Sequence, residues 1–197
     1  AVITSVTRDD MPDGGAAHIA ETVCSIRALN ANTTIEVLVP DFLGDAAAVE
    51  TVLTARPDVF GHNIETVERL YPIVRGKRCT YRTALEVLRM AAEWEPGVIV
   101  KSALMVGHGE TEDEIKQTLH DLLDAGCEAV CIGQYLRPTL KQREVEGYVT
   151  PEKFKEYQEY AYAIGFGFAV AGPFVRSSYR SEELMEANWT RERAQST

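Results

Sequence analysis

Polar side chains follow the apolar, strand-like runs of this sequence where those runs end. They stand at 7–10 (TRDD), at Asp41, at 62–65 (HNIE), at 108–110 (HGE) and at Gln134. When parallel strands form a barrel, their carboxyl ends converge on one mouth, and that mouth carries the functional site. Carboxylates, amides and imidazoles gathered there would bind a small polar ligand, so these positions are the first candidates for chemistry.

Two glycines, Gly14 and Gly15, open a helix directly after the first apolar run. Glycine lets a ligand approach the backbone closely, and the N–H groups at a helix start attract anions. The alternative is an ordinary strand-to-helix turn capped by Asp13. Taken alone, a glycine pair favours that alternative.

His62, Asn63 and Glu65 have two equally supported interpretations. They belong to a ligand site, or they begin a capped helix beside a hydrogen-bonded histidine. Spacing does not separate the two.

The nucleophilic side chains are scattered along the chain. Lys101 lies inside an apolar run, where a lysine can form a Schiff base, although a structural ion pair is favoured. Cys24, Cys127 and Cys131 fit small core residues, and the role of Cys79, in the basic stretch RGKRC, is open. Cysteines without a framework spacing predict a reduced, cytosolic setting.

Composition narrows the class of protein further. The chain has 197 residues and a net charge of −10, which suits one acidic domain and argues against nucleic acid as a partner. It contains neither an apolar run long enough to cross a membrane nor a secretory signal, which predicts no membrane association. Its first residues already form a strand-like run, so we expect a preceding unit to be missing.

Apolar runs alternate with amphipathic, capped segments along the whole chain. Strands are predicted near 2–6, 35–39, 59–62, 98–106, 129–134 and 166–171. Helices are predicted near 14–29, 45–56, 64–73, 80–94, 112–125 and 151–164. This α/β pattern predicts a parallel sheet with helices outside, either open and doubly wound or a barrel. Polar strand ends all along the chain favour a partial (β/α) TIM-type barrel over 1–172, followed by a charged tail over 173–197 that includes a short helix.

Four segments carry a family resemblance: TSVTRDDMPDGGA (4–16), FGHNIETVERLY (60–71), KSALMVGHGETEDEI (101–115) and AGPFVRSSYRSEE (171–183). In this order and at these distances they resemble the lipoyl synthases of the radical S-adenosylmethionine (SAM) superfamily. Three further segments are similar to the same family: IEVLVPDF (35–42), IGQYLRPT (132–139) and YVTPEKF (148–154).

The resemblance implies a radical SAM sulfurtransferase with two [4Fe–4S] clusters. One cluster, held by a CxxxCxxC motif, cleaves SAM reductively to a 5′-deoxyadenosyl radical that removes hydrogens from C6 and C8 of a protein-bound octanoyl chain. The auxiliary cluster is consumed as the sulfur donor. In the family a serine of the RSSY motif holds that cluster, which implies Ser177 as a ligand, with Ser178 as the less favoured alternative and Arg176 beside the cluster.

The resemblance also implies which residues bind SAM. Glycines approach its methionine end, polar groups after the third strand hold it, and the ends of the later strands lie by the nucleoside. The implied positions are Ser5, Gly14, Gly15, Asn63, Glu65, Val106, Gly107, Gln134 and Tyr135.

Partners follow from the same resemblance. The substrate is an octanoylated lipoyl carrier, either the glycine cleavage H protein or a 2-oxoacid dehydrogenase E2 domain, and the electron donor is a flavodoxin or a ferredoxin. Arg75, Lys77 and Arg78 form a basic loop that we expect to dock the acidic carrier, with a solvated loop as the alternative. The implied location is the cytoplasm, or a mitochondrion or plastid in a eukaryote.

The sequence departs from the family in two ways. It has no CxxxCxxC motif and no auxiliary cysteine set, so we expect the chain alone to be inactive. His108 stands where the family more usually has an apolar residue. The alternatives are a Schiff-base aldolase-type barrel using Lys101 and a non-catalytic barrel that binds SAM or a carrier.

Overall fold

The computed structural model describes residues 1–76, 78–94, 98–179 and 181–184. Its strands are β1 (Val2–Thr4), β2 (Glu36–Leu38), β3 (Val59–Gly61), β4 (Ile99–Val106), β5 (Ala129–Gln134) and β6 (Phe168–Gly172). Its α-helices are α1 (Ala16–Leu29), α2 (Ala46–Thr54), α3 (Tyr71–Val74), α4 (Tyr81–Trp94), α5 (Glu112–Asp124) and α6 (Pro151–Ile164). Each predicted strand is present, although β1, β2 and β3 are shorter than expected.

The six strands form one parallel sheet in the order β1-β2-β3-β4-β5-β6. Right-handed crossovers between successive neighbours put every helix on the same face of a sheet. A doubly wound sheet would instead reverse its strand order at a switch point. The strand order therefore confirms the prediction of a partial TIM-type barrel.

The two faces of the sheet bury different side chains, because successive residues of a strand point to opposite faces. The outer face packs against the helices and contributes Val37, Phe60, Val100, Leu104, Val130, Ile132 and Ala169 to the larger core. The inner face forms a second cluster from Val59, Ile99, Ala103, Ala129, Cys131, Phe168 and Val170.

The segment after β6 covers part of the inner face. Val175 and Leu184 both belong to the inner cluster and are almost fully buried. Gly133 of β5 allows this close approach, because a Cβ at that position would lie 2.2 Å from the Val175 carbonyl oxygen. The predicted division at residue 172 coincides with the end of β6. In the tail, residues 181–184 are helical, and residues 185–197 lie outside the described ranges.

Side-chain caps begin several of the helices, as the sequence predicts. Thr111 and Glu114 form the expected capping box of α5, Thr150 caps α6, and Asp45 caps α2. These caps fix where the chain leaves each strand end and enters its helix.

Two predictions about local structure are wrong. The helix expected over 64–73 does not begin until residue 68, because Glu65 instead pairs with Leu104 beside β4. Cys24, expected in the core, is exposed on α1, whereas Cys127 and Cys131 are buried as predicted.

Within the described ranges, no helix combines the length and the apolar character needed to cross a lipid bilayer.

Replacing Gly133 with alanine tests how the segment after β6 is held. The added Cβ would collide with the Val175 carbonyl, and such overpacking costs about 1–3 kcal/mol. We therefore expect Gly133→Ala to lower the free energy of unfolding, measured in urea, by this amount. Gly147→Ala is the control, because a Cβ there meets nothing within 4 Å. Equal unfolding curves for the two variants would contradict this packing.

Candidate functional site

A cavity of about 130 Å³ opens at the carboxyl ends of β4 and β5. Its walls come from the inner face of these strands, the turn after β3 and the segment after β6. The lining residues are Asn63, Glu65, Ala103, Leu104, Met105, Cys131, Gly133, Val175, Arg176 and Ser177. The structure thus brings together four predicted site residues from two segments that are far apart in sequence: Asn63, Glu65, Arg176 and Ser177.

The backbone of Glu65 is held in an unusual conformation. Its φ is 66°, in the left-handed region that glutamate rarely adopts. Two hydrogen bonds to β4 fix it there, since the Glu65 N–H donates to the Ala103 carbonyl at 3.0 Å and the Met105 N–H donates to the Glu65 carbonyl at 2.8 Å. The surrounding strand therefore maintains the strain, a pattern that is common at functional sites.

Opposing effects act on the carboxyl group of Glu65. Burial raises its pKa, and the guanidinium of Arg75, a hydrogen bond from Asn63 and the charge of Arg176 partly oppose this shift. The Asn63 amide donates to Glu65 Oε1 at 3.3 Å. Glu65 is therefore a half-buried acidic group between two arginines at the cavity.

Arg75 lies beside Glu65 and Tyr71 rather than on an open loop. Burial lowers the pKa of its guanidinium, but the charges of Glu65 and Tyr71 outweigh this effect, so the pKa is raised. The backbone N–H of Arg75 donates to the Tyr71 carbonyl at 2.8 Å, which extends α3 by one residue. Arg75 follows the buried Tyr71 by four residues, and residues at this spacing lie on the same face of a helix. The sequence therefore contained a signal that Arg75 lies on the same side as Tyr71.

The other members of the predicted docking loop are placed differently. Arg78 is exposed and forms a surface ion pair with Asp9 at 2.9 Å. Lys77 lies outside the described residues. The structure thus separates Arg75, near the cavity, from Arg78, on the surface.

Three buried polar atoms near this site have no hydrogen-bond partner among the described residues: Asn63 Oδ1, Arg75 Nε and His62 Nε2. His62 Nδ1 lies 2.9 Å from the Val39 carbonyl, which only accepts, so Nδ1 carries the proton and Nε2 is an acceptor. Burial lowers the pKa of His62 and favours this neutral ring. Buried polar groups without partners are rare, and a bound ligand is one explanation for them.

The arrangement fits the two ends of an α-amino acid. The Glu65 carboxylate and Asn63 Oδ1 are acceptors that suit an ammonium group, and the Arg75 guanidinium suits a carboxylate. The Asn63–Glu65 hydrogen bond is long, and Asn63 Oδ1 has no partner among the described residues. The Arg75 side chain also has a hydrogen bond with the Tyr71 side chain, while its Nε has no partner among the described residues.

Gly14 and Gly15 both have positive φ angles, 62° and 89°, as glycine permits. Of the two interpretations of this helix start, the structure shows the turn capped by Asp13. The carboxylate of Asp13 accepts from the N–H groups of Gly15 and Ala17 at 3.0 and 2.8 Å, and its carbonyl accepts from Ala16. These bonds lower the pKa of Asp13 and leave the first amides already satisfied.

A larger cavity of about 390 Å³ adjoins this turn, between the ends of β1 and β2. It is lined by Thr7, Arg8, Asp9, Met11, Pro12, Asp13, Gly14, Pro40, Asp41, Phe42, Leu43, Asp45 and Arg78. Ser5 is not among these residues, and its hydroxyl donates to the Val6 carbonyl at 2.7 Å.

Val106, Gly107, Gln134 and Tyr135 do not line the cavity beside Glu65. Val106 belongs to the outer core, and Gln134 is its partner in register on β5, so both side chains face away from the barrel interior. The Gln134 amide binds the Gly147 carbonyl at 3.1 Å and the Val149 N–H at 2.9 Å. Their predicted contact with SAM stays a prediction.

His108 is buried beneath the residues that follow β5. Its ring stacks on Tyr135 with centroids 3.9 Å apart, and the Tyr135 hydroxyl donates to the Arg143 carbonyl at 2.9 Å. Burial and the charge of Arg143 lower the pKa of His108 to about 4, so the ring is neutral at physiological pH. The N–H groups of Gly107 and His108 both donate to the Glu110 carboxylate, which closes this turn internally.

Lys101 forms a buried ion pair. Its Nζ donates to both carboxylate oxygens of Glu36, at 2.9 and 3.0 Å, and both side chains are at most 5% exposed. An ammonium held in this way is not available as a nucleophile, so the Schiff-base alternative is not favoured.

The described residues do not form an iron–sulfur site by themselves. They contain no group of three or more His, Cys, Asp and Glu side chains placed to hold a metal. Cys131 lines the cavity, but burial raises the pKa of its thiol to about 11, and burial also raises the pKa of Cys79.

The radical SAM superfamily model matches residues 1–122. The mitochondrial lipoyl synthases of Drosophila sechellia, Drosophila mojavensis and Drosophila melanogaster are 52%, 50% and 52% identical to this chain over 183 residues. These alignments cover 93% of the chain and 48%, 50% and 48% of the relatives, so the chain spans about half the length of the curated relatives it matches.

The crystal structure of the HMG-CoA lyase from Brucella melitensis resembles the fold alone. The two share a TM-score of 0.53 and 17% sequence identity, over 89% of this chain and 59% of the lyase. With the strand order, the placement of the mouth residues and the family match together, the chain belongs to the radical SAM superfamily, within which it is similar to the lipoyl synthases.

Proposed function

We propose that this chain forms the part of a lipoyl synthase that binds SAM and presents the octanoyl substrate. The observation that carries the proposal is the meeting of Asn63, Glu65, Arg176 and Ser177 at one cavity. These residues lie in the two segments, HNIETV and RSSY, on which the family resemblance is strongest.

The site suits one end of SAM rather than the whole molecule. The cavity of about 130 Å³ is smaller than the roughly 300 Å³ at which small-ligand pockets usually begin. Glu65 and Asn63 would hold the ammonium of the methionine part, and Arg75 would hold its carboxylate. When bound, SAM together with a reducing iron–sulfur cluster supplies the hydrogen abstraction that precedes sulfur insertion.

The proposed role of this chain toward the clusters rests on Ser177 and Arg176. Ser177 is half-buried at the cavity wall, where its hydroxyl is the proposed ligand of an auxiliary [4Fe–4S] cluster, and Arg176 would offset the negative charge of that cluster. The thiolate ligands of both clusters have no counterpart in this sequence, so no reaction step is assigned to its cysteines.

The proposed substrate is an octanoyl chain on the lysine of a lipoyl carrier, either the glycine cleavage H protein or a 2-oxoacid dehydrogenase E2 domain. A flavodoxin or ferredoxin is the proposed electron source. The relatives are named as mitochondrial proteins, which supports the mitochondrial alternative for location, and the cytoplasmic one stays a prediction.

The charged groups at the cavity predict how this chain binds S-adenosylhomocysteine, which has the same amino acid end as SAM. Glu65→Gln and Arg75→Met each remove one charged partner, and hydrogen bonds to charged groups contribute about 1.5–3 kcal/mol. We expect each variant to bind at least about tenfold more weakly by isothermal titration calorimetry. Glu86→Gln and Arg89→Met, on exposed positions of α4, are the matched controls. Affinities equal to those of the controls would reject the assignment.

The same binding should depend on pH. Burial raises the pKa of Glu65, so its carboxylate is protonated, and its attraction for an ammonium lost, at a higher pH than for an ordinary glutamate. Affinity should therefore fall as the pH is lowered through this raised pKa. Titrations across the acid range should show the decline in the native chain and a flat profile in Glu65→Gln. A decline of the same size in both proteins would exclude Glu65 as its source.

Carrier docking is testable at Arg78, which is exposed and whose surface ion pair with Asp9 has little energy. Arg78→Glu should weaken binding of an octanoylated H protein about threefold to tenfold, with a smaller effect at high salt, because exposed charges are screened. Surface plasmon resonance at two ionic strengths measures this, with Arg89→Glu as the control for net charge. If Arg78→Glu and Arg89→Glu bind alike, the basic loop is not the docking surface.

A further inference from the structure

Besides the packing of Leu184, three contacts attach the segment that carries Ser177 to the inner face of the sheet. Val175 packs on Gly133, and the Cys131 thiol lies 3.7 Å from the Ser177 carbonyl, at the distance of a weak S–H···O hydrogen bond. The third attachment is polar and lies at a separate cavity of about 140 Å³, which Glu36 and Ser181 line. There, Lys101 Nζ lies 3.3 Å from the Ser181 hydroxyl.

The Ser181 hydroxyl connects Lys101 to the residues around Ser177 through two hydrogen bonds. It accepts from Lys101 Nζ and donates to the Ser178 carbonyl at 3.0 Å. The hydroxyl therefore has a donor on one side and an acceptor on the other. This contact joins β4 to the residue next to Ser177.

The Lys101–Glu36 ion pair is a rigid anchor for this connection. The two side chains are 2% and 5% exposed and join β4 to β2 across the inner face, from positions that point into the barrel. Glu36 uses both carboxylate oxygens on Lys101, which leaves one ammonium proton for Ser181. A buried charge pair is costly to separate, so the ammonium has a fixed position.

We infer that Lys101 and Ser181 are positioning residues that hold Ser177 at the cavity. The inference rests on the proposed function for the meaning of that position, since Ser177 is the proposed cluster ligand. It gives the buried lysine a role that differs from nucleophilic catalysis. Neither Lys101 nor Ser181 lines the cavity that contains Ser177, which fits a role in positioning that residue.

Ser181→Ala tests the inference without leaving a buried charge unpaired, because the Lys101–Glu36 pair stays intact. Hydrogen exchange is the readout, since the N–H groups of Val175 and Tyr179 donate within the segment, to Gly172 at 3.1 Å and Arg176 at 2.9 Å. Removing this connection should make these two amides exchange about fivefold faster. Exchange in the centre of β5 should not change.

Two matched variants separate positioning from a general loss of packing. Ser181→Thr keeps the hydroxyl and should restore native exchange. Ser178→Ala removes an exposed hydroxyl from the same segment and leaves the Ser178 carbonyl in place, so it should have no effect. Native exchange in Ser181→Ala, or equal acceleration in β5, would overturn the inference.

A second measurement separates this inference from the proposed function. Ser181 does not line the cavity beside Glu65, so Ser181→Ala should weaken the binding of S-adenosylhomocysteine much less than Glu65→Gln does. If the native chain binds no S-adenosylhomocysteine but Ser181→Ala still shows faster exchange in the segment, the positioning role is supported and the SAM site is rejected. A loss of affinity in Ser181→Ala equal to that in Glu65→Gln would reject the positioning role as stated.

Discussion

Along each parallel strand, side chains point alternately to the helices and to the barrel interior, and this alternation decides which residues reach the mouth. Lys101, Ala103 and Met105 of β4 point inward, while Leu104 and Val106 pack in the outer core. The same rule places Cys131 and Gly133 of β5 inside. The anchor, the cavity and the surface that receives the segment after β6 all follow from this one constraint.

The position of Glu65 shows how the sheet stabilises an unfavourable site. A left-handed backbone at a non-glycine residue costs about 1–3 kcal/mol, and burial of a carboxylate adds to that cost. Two backbone hydrogen bonds to β4 and the nearby guanidinium groups of Arg75 and Arg176 offset it. The result is an acidic group that is fixed in place before any ligand arrives.

Repeating features of the fold could be predicted from the sequence. Apolar runs gave the strands, Thr111 with Glu114 marked a helix start, and polar strand ends indicated a barrel rather than a doubly wound sheet. Glu65 and Ser177, two of the residues that the family resemblance indicated, line the same cavity, and their roles toward SAM and a cluster stay predictions.

Other parts of the site depend on distances that the sequence does not contain. Gln134 was expected at the mouth, but the parity of β5 turns its side chain outward, where it binds the backbone of 147–149. Arg75 was expected on a docking loop, but the short helix α3 carries it beside Glu65. Spacing alone offered both a ligand site and a cap by Asp13 at the Gly14–Gly15 turn, and the structure shows the Asp13 carboxylate accepting from the N–H groups of Gly15 and Ala17.

The packing of Val175 and Leu184 on the inner face has a consequence for sequence variation. Both ends of the stretch between them are buried against the inner face, so the stretch cannot be shorter than the distance between those two contacts. Deletions, which surface loops usually tolerate, should therefore be disfavoured in this stretch. Homologous chains can differ in its side chains, but we expect them to keep at least this number of residues between the positions of Val175 and Leu184.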